Sequence, residues 1–136
     1  MKRKRVWVWV AMLAVVAIVG ATVGTAGAGV PSQSSTKGVT SSTINVAGMV
    51  SNPTFGDAVK GAQARFDREN ANGGVFGRKI KIVDTADDKF DPTTNVQEAR
   101  RVVSSGNVFA MVPTVTVVLG ASDYLKQQKV PFFGWG

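Results

Sequence analysis

Hydrophobic and polar positions follow two different periods along residues 43–136, and the period changes in blocks. Thr43–Val50 is rich in β-branched and apolar side chains, which favours a strand. Residues 56–72 carry apolar side chains at helical spacing, with Asp57 in the first turn and two glycines directly after the last one. Residues 79–83 then alternate between lysine and apolar side chains, so they predict a second strand near a sheet edge.

The second half of the chain continues this alternation of strand and helix patterns. Asp91-Pro92 predicts a helix start, since aspartate is a favoured N-cap and proline fits the first helical position. The apolar stripe of this helix, which we expect to be buried, consists of Val96, Ala99, Val102 and Val103. Residues 108–112 are continuously apolar, as is typical of a strand covered on both faces. Residues 119–129 predict a third helix, and residues 130–133 begin a fourth strand.

The order of predicted elements is therefore β-α-β-α-β-α-β. Such an alternation predicts an α/β fold, with an open, parallel, doubly wound (Rossmann-like) sheet and helices on both faces. The sequence stops at Gly136, directly after the fourth strand, which would leave that strand without a covering helix. Residues 43–136 are therefore expected to form the first part of a lobe that is truncated before it is complete.

The first 28 residues have the layout of a secretory signal peptide. A basic run at residues 2–5 precedes an uncharged stretch at residues 6–20, and Ala26 and Ala28 then stand as in an A-x-A cleavage site. A retained membrane helix is the alternative, although glycines and threonines interrupt the apolar run from Gly20 onwards. No cysteine follows the run, which excludes a lipid anchor. We expect residues 29–42 to be a flexible leader, and the protein to be exported to the periplasm or the outer face of the cytoplasmic membrane.

Composition excludes several classes of function. The formal net charge is +7, but four of the sixteen basic residues lie at positions 2–5, which leaves twelve basic against nine acidic residues, about +3. This balance, with scattered basic residues, does not indicate nucleic-acid binding. The chain has no cysteine and no histidine, so it offers no disulfide and no Ser-His, Cys-His or His-metal site. We therefore expect a binding protein without a cofactor or metal rather than an enzyme.

Candidate ligand contacts follow the predicted strands. Ligands of open α/β sheets bind outside the carboxyl ends of the strands, where the strand order reverses. Phe55 follows the first strand, Thr114 and Thr116 follow the third, and Trp135 follows the fourth. Aromatic rings would supply wall area, and hydroxyls near helix N-termini would bind an anion. The alternatives are that the threonines cap the third helix and that either ring packs against a loop or another lobe.

An acidic cluster follows the second strand and consists of Asp84, Asp87, Asp88 and Asp91. A hard cation would need such oxygen ligands, but the glycine pattern of a calcium loop is missing and Asp91 is already explained as a helix cap. We interpret the cluster as a solvated loop. The G-x-G-x-x-G turn of a dinucleotide-binding domain is also absent, because the residues after the first strand read Gly48-Met49-Val50-Ser51-Asn52-Pro53, and nucleotide binding is therefore disfavoured.

Several segments resemble the branched-chain amino-acid (leucine-binding) type of solute-binding protein, which serves ABC importers and has the type I periplasmic-binding-protein fold. The most specific runs from Asn70 to Lys79 and matches the pattern N-x-x-G-G-[VI]-x-G-[RK]-K. The other matching segments are Gly38-Val39-Thr40, Ile44-Asn45-Val46-Ala47-Gly48, Gly56-Asp57-Ala58-Val59-Lys60-Gly61-Ala62, Asp87-Asp88, Asp91-Pro92 and Val130-Pro131. The similarity extends from about Gly38 to Gly136.

The resemblance implies a two-lobed protein that closes on an amino acid or a similar small polar solute, such as an amide or a urea-like compound. The solute would be delivered to the membrane permease of an ABC importer. Phe55 would line the pocket, and Thr114 and Thr116 would bind the ligand's carboxylate. Trp135 would contribute from the last loop, where relatives have a small residue or proline. The acid that binds the ligand's ammonium would come from a second lobe, and a membrane-tethered sensory domain is the alternative function.

Overall fold

The computed structural model describes residues 36–135. The predicted signal peptide, residues 29–35 of the predicted leader, and Gly136 lie outside the described residues. The elements are β1 (Thr43–Val50), α1 (Asp57–Ala71), β2 (Lys79–Asp87), α2 (Pro92–Ser104), β3 (Ala110–Val115), α3 (Ser122–Gln127) and β4 (Phe132–Trp135). The predicted order of strands and helices is confirmed.

The four strands form one open sheet in the order β2-β1-β3-β4, and every neighbouring pair is parallel. The α/β fold class is therefore confirmed, and β2 lies at an edge of the described sheet as its charged, alternating pattern predicted. From β1 the chain first crosses to β2 on one side and then to β3 on the other side. The strand order thus reverses at β1, which places the expected binding crevice at the carboxyl ends of β1 and β3.

Helices cover both faces of the sheet. On one face, α2 lies against β2 and α3, and the core on that face includes Ala99, Leu125, Met49 and Met111. On the other face, α1 lies over Gly48, where an added Cβ would stand 3.3 Å from the Val59 side chain. Because the side chains of a strand alternate between faces, Gly48 and Met49 point to opposite layers.

The strands extend beyond the apolar runs that predicted them. We expected β2 to end at Val83, but it continues to Asp87, and Ala86 near its end is fully buried opposite Met49. Trp135 was expected in a loop after the fourth strand and is instead the last residue of β4. Both differences arise because strand formation depends on the tertiary context, since a neighbouring strand supplies hydrogen-bond partners and packing that the local sequence does not show.

The end of the predicted flexible leader is attached to the lobe. The Gly38 carbonyl accepts a hydrogen bond from Asn45 N at 2.8 Å, and Ser42 O accepts one from Lys79 N at 2.8 Å. Gly38 has φ of 72° and lies against the backbone of Phe109, where any Cβ would overlap it. A glycine is therefore required at this turn, and residues 36–42 belong to the folded unit.

Residues 36–135 contain no helix of the length and apolarity needed to cross a bilayer.

Candidate ligand-binding site

The site begins with the loop after β1, which a hydrogen bond to Asp87 fixes in place. Asp87 Oδ1, at the end of the neighbouring strand, accepts hydrogen bonds from Asn52 N at 3.1 Å and from Lys89 N at 3.0 Å. Burial raises the pKa of Asp87, but these two N–H donors outweigh that effect and hold the pKa below its usual value. The loops after β1 and β2 are thereby joined through one carboxylate.

Phe55 emerges from this loop directly before α1 and contacts two other aromatic rings. Its ring centroid lies 5.5 Å from that of Trp135, in an edge-to-face arrangement, and 6.1 Å from that of Phe90. Phe55 is half-buried, whereas Phe90 and Trp135 are 39% and 62% exposed. We call Phe55, Phe90 and Trp135 the aromatic cluster; it unites the loop ends after β1 and β2 with the end of β4.

Phe90 was missed in the sequence, where it stood within the supposed solvated loop. Neither its spacing nor its neighbours mark it, because it belongs to no periodic run. The available signal was its position between the end of β2 and the Asp91 N-cap, a short connection that must turn at the carboxyl edge of the sheet. A large apolar residue there lies near the ligand-binding edge of an α/β sheet.

Thr114 and Trp135 line one hollow of about 120 Å³, together with Leu119, Phe132 and Gly134. Thr114 is almost fully buried, and its hydroxyl lies 3.2 Å from Met111 O, to which it donates. The hollow depends on Gly134, which pairs with Thr114 across β3 and β4; a Cβ at Gly134 would overlap the Thr114 carbonyl. Phe55, Thr114 and Trp135 thus lie at the same end of the sheet, with Trp135 common to the hollow and the aromatic cluster.

Thr116 is placed differently from the other three predicted site residues. It is fully buried, and its hydroxyl contacts the Asp88 carboxylate, Val118 O at 3.2 Å and Ser51 Oγ at 3.1 Å. It also accepts from Val118 N at 3.0 Å. Its side chain is thus occupied by internal partners beneath the carboxyl ends of the strands.

Asp88 is the centre of a buried polar network. Its carboxylate accepts from Ser51 Oγ at 2.5 Å, from Phe90 N at 3.0 Å, from Asn95 Nδ2 at 2.9 Å and from the Thr116 hydroxyl. Asn95 in turn accepts from Ala121 N at 2.9 Å. The network, which we call the Asp88 network, joins the ends of β1, β2 and β3 to α2 and to the start of α3.

Three sequence-based interpretations are corrected by the structure of this region. Asp88 is fully buried, so the acidic cluster is not wholly a solvated loop, and Asn95, which the apolar pattern omitted, is a buried residue of α2. Neither threonine caps α3, since its N-cap is Ala121 without a side-chain hydrogen bond. The Asp91 cap of α2 is confirmed, with Thr94 N donating to its carboxylate at 2.6 Å.

Asp84, the remaining residue of the acidic cluster, forms an ion pair. Asp84 forms a two-point contact with Arg101, at 2.7 and 3.2 Å, which holds the pKa of Asp84 below its usual value. Among residues 36–135, no group of three acidic, histidine or cysteine side chains is placed to hold a metal ion.

An open parallel α/β lobe, with aromatic and hydroxyl side chains at the carboxyl ends of its strands, defines a class of domains that bind small molecules at a topological switch point. The family model described as periplasmic binding protein matches residues 43–136. The chain therefore belongs to the periplasmic binding protein family.

Two individual proteins are similar to this chain. The Leu/Ile/Val-binding protein BraC3 of Rhizobium johnstonii is 37% identical over 78 residues, which cover 56% of this chain and 21% of that protein. The crystal structure of a periplasmic binding protein type 1 from Bordetella pertussis Tohama I matches with a TM-score of 0.56 and 20% identity, over 66% of this chain and 26% of that one. At this identity the structural match shows the fold alone. The matched part is about a fifth of the length of the curated relative.

Proposed function

We propose that this chain captures a small polar solute as the extracytoplasmic binding component of an ABC importer. The solute is an amino acid or a related amide or urea-like compound, and the partner is the importer's membrane permease. Membership of the periplasmic binding protein family supports solute capture, and the curated relative is named as a Leu/Ile/Val-binding protein. The export signal predicted in residues 1–28 fits this location.

The observation that carries the proposal is the meeting of Phe55, Trp135 and Thr114 at the point where strand order reverses. Phe55 and Trp135 are in ring contact, and Trp135 and Thr114 share one hollow. Pockets for small molecules combine apolar wall area with a few polar groups that fix orientation. In this proposal the two rings form the wall. The Thr114 hydroxyl, which donates to Met111 O, supplies the polar contact as an acceptor from the solute.

Thr116 has an indirect role in the proposed site. Because its hydroxyl is engaged with Asp88 and Val118, it positions the loop after β3 and does not form a hydrogen bond with the solute. The strand-end backbone would then present its own N–H and C=O groups to the ligand. This role distinguishes Thr116 from Thr114, which lies beside the hollow.

Isothermal titration of the whole protein against the common amino acids, simple amides and urea tests the proposal. We expect one of these compounds to bind with a 1:1 stoichiometry. We also expect the replacement of Trp135 with alanine to weaken the binding of that compound. Binding of none of them would contradict solute capture.

Mass spectrometry of the protein recovered from the producing cell tests its location. A mature chain lacking residues 1–28 agrees with an exported binding protein. A chain that retains the apolar run at residues 6–23 would favour the alternative, a membrane-tethered sensory domain.

A further inference from the structure

Phe90 is held in a backbone conformation that side chains normally avoid. Lys89 and Phe90 have φ of 54° and 61°, in the left-handed region, although neither is glycine. For a bulky residue this conformation is a genuine outlier, which persists only where the surroundings fix it. Phe76 and Lys129 also have positive φ, so the conformation by itself assigns no role; what distinguishes Phe90 is the contact of its ring with Phe55.

Hydrogen bonds to two aspartates fix this loop. Lys89 N donates to Asp87 Oδ1 and Phe90 N donates to Asp88 Oδ1, each at 3.0 Å, and Asp91 N donates to Asp88 O at 2.9 Å. Three consecutive backbone N–H groups are thus satisfied only when the chain follows this path. The loop has little freedom to relax, and the Phe90 ring is directed towards Phe55.

The resulting aromatic cluster keeps open surface at Phe90, which is 39% exposed although its ring lies near Phe55. Phe55 also contacts Trp135. Scattered single apolar residues on a surface need no explanation, but rings from separate segments that meet and keep open surface indicate a binding site. Here the group comes from three separate segments and lies at the strand ends where the proposed solute binds.

We propose that the aromatic cluster selects a solute with a flat aromatic group, and that Phe90 determines this preference. The inference rests on the proposed function, since it names the class of solute for the same site. Aromatic rings gain from edge-to-face or offset contacts at centroid distances of roughly 4.5–7 Å, in addition to the gain from buried area. A saturated group of the same size gains only the area term.

Two pairs of solutes, each differing only in whether the ring is aromatic or saturated, isolate the contribution of the aromatic contact. L-Phenylalanine is compared with L-cyclohexylalanine, and benzamide with cyclohexanecarboxamide, by isothermal titration of the whole protein. We expect the aromatic member of at least one pair to bind about three- to tenfold more tightly than the saturated member. Each pair keeps the same polar end, so differences at Thr114 cancel.

Substitutions assign the preference to Phe90. Phe90→Leu keeps an apolar side chain and is expected to reduce the aromatic-to-saturated ratio to about one, whereas Phe90→Tyr keeps the ring and the ratio. Trp135→Leu provides a second test, with the same expected loss, should Phe90→Leu not fold. The matched control is Phe76→Leu, because Phe76 is 92% exposed in the turn before β2, at the other end of that strand.

The outcomes separate the inference from the proposed function. Equal or tighter binding of the saturated members would overturn the inference alone. So would an aromatic-to-saturated ratio that Phe90→Leu and Trp135→Leu both leave unchanged. Binding of no compound, in this panel or among amino acids, amides and urea, would overturn solute capture and the inference together.

Discussion

Replacing Asp88 with alanine tests whether one buried carboxylate holds the strand ends together. In the native protein the carboxylate accepts four hydrogen bonds, two from hydroxyls and two from N–H groups. In the variant the Thr116 hydroxyl can turn to Val118 O, and Ser51 Oγ can donate to Thr116 Oγ1 at 3.1 Å. The two hydroxyls therefore find other acceptors, and the N–H groups lose theirs.

The size of the effect follows from those two N–H groups. Asn95 Nδ2 loses a buried acceptor, and a buried donor left without a partner costs about 1–3 kcal/mol. Phe90 N loses a part-buried acceptor, which adds up to a similar cost. We therefore expect Asp88→Ala to reduce the free energy of unfolding by about 1–6 kcal/mol. This is a large share of a typical domain stability of roughly 5–15 kcal/mol.

Asp88→Asn sharpens the test because it preserves volume. Phe90 N donates to Oδ1 and Asn95 Nδ2 to Oδ2, so either orientation of the new amide turns its NH₂ group towards one of these donors. One donor is left unsatisfied, and we expect a loss of about 1–3 kcal/mol. The variants should therefore rank wild type, Asp88→Asn, Asp88→Ala in order of falling stability.

Urea unfolding, followed by circular dichroism, measures these differences from the midpoint at a constant slope. The control is Asp123→Ala, because the Asp123 side chain is 86% exposed, and its free energy of unfolding should stay within about 0.5 kcal/mol of wild type. An Asp88→Ala protein that loses less than about 1 kcal/mol, or an Asp88→Asn protein as stable as wild type, would refute the role given to the carboxylate.

Two further predictions concern the surface. The pKa of Asp84 is lowered by its contact with Arg101, so the stability this contact provides is present above the unfolded pKa of about 4 and is lost as the pH falls through the folded value. Urea midpoints of wild type and Asp84→Asn should therefore differ most at pH 7 and converge towards pH 3; a constant gap would contradict this reasoning. Phe76→Asn should raise the free energy of unfolding by about 0.5–1 kcal/mol, since Phe76 has φ of 50° and is 92% exposed and asparagine tolerates that conformation. A lower urea midpoint would show that the exposed ring makes a stabilising contact.

Much of the fold was predictable because its signals are local. The N-cap and proline at the start of α2 act within one turn, and the apolar side chains of β1 predict that this strand is buried. The lysine alternation of β2 correctly placed that strand at an edge, because a strand with one exposed side tolerates charges there. Strand ends were less predictable, since they depend on the neighbouring strand rather than on the segment itself.

The candidate site was only partly predictable. The strand-end rule located Phe55, Thr114 and Trp135 at one end of the sheet, and the structure places them there. It also proposed the Thr116 hydroxyl as a ligand contact, which stays a prediction; the structure shows that hydroxyl engaged with Asp88. Phe90 was missed because an isolated aromatic residue in a short acidic loop has no periodic signal.

The sequence by itself determined the succession of strands and helices, the N-cap of α2 and the end of the sheet at which Phe55, Thr114 and Trp135 lie. The tertiary structure alone decided that Asp88 is buried and that Phe90 joins Phe55. Ser51 and Thr116 reach Asp88 across 37 and 28 residues of chain, through crossovers that bring three strand ends together. Local sequence patterns do not indicate partners that are so far apart in the chain. A carboxylate among acidic neighbours is therefore predicted to be solvated, and only the order of the strands shows which donors lie next to it.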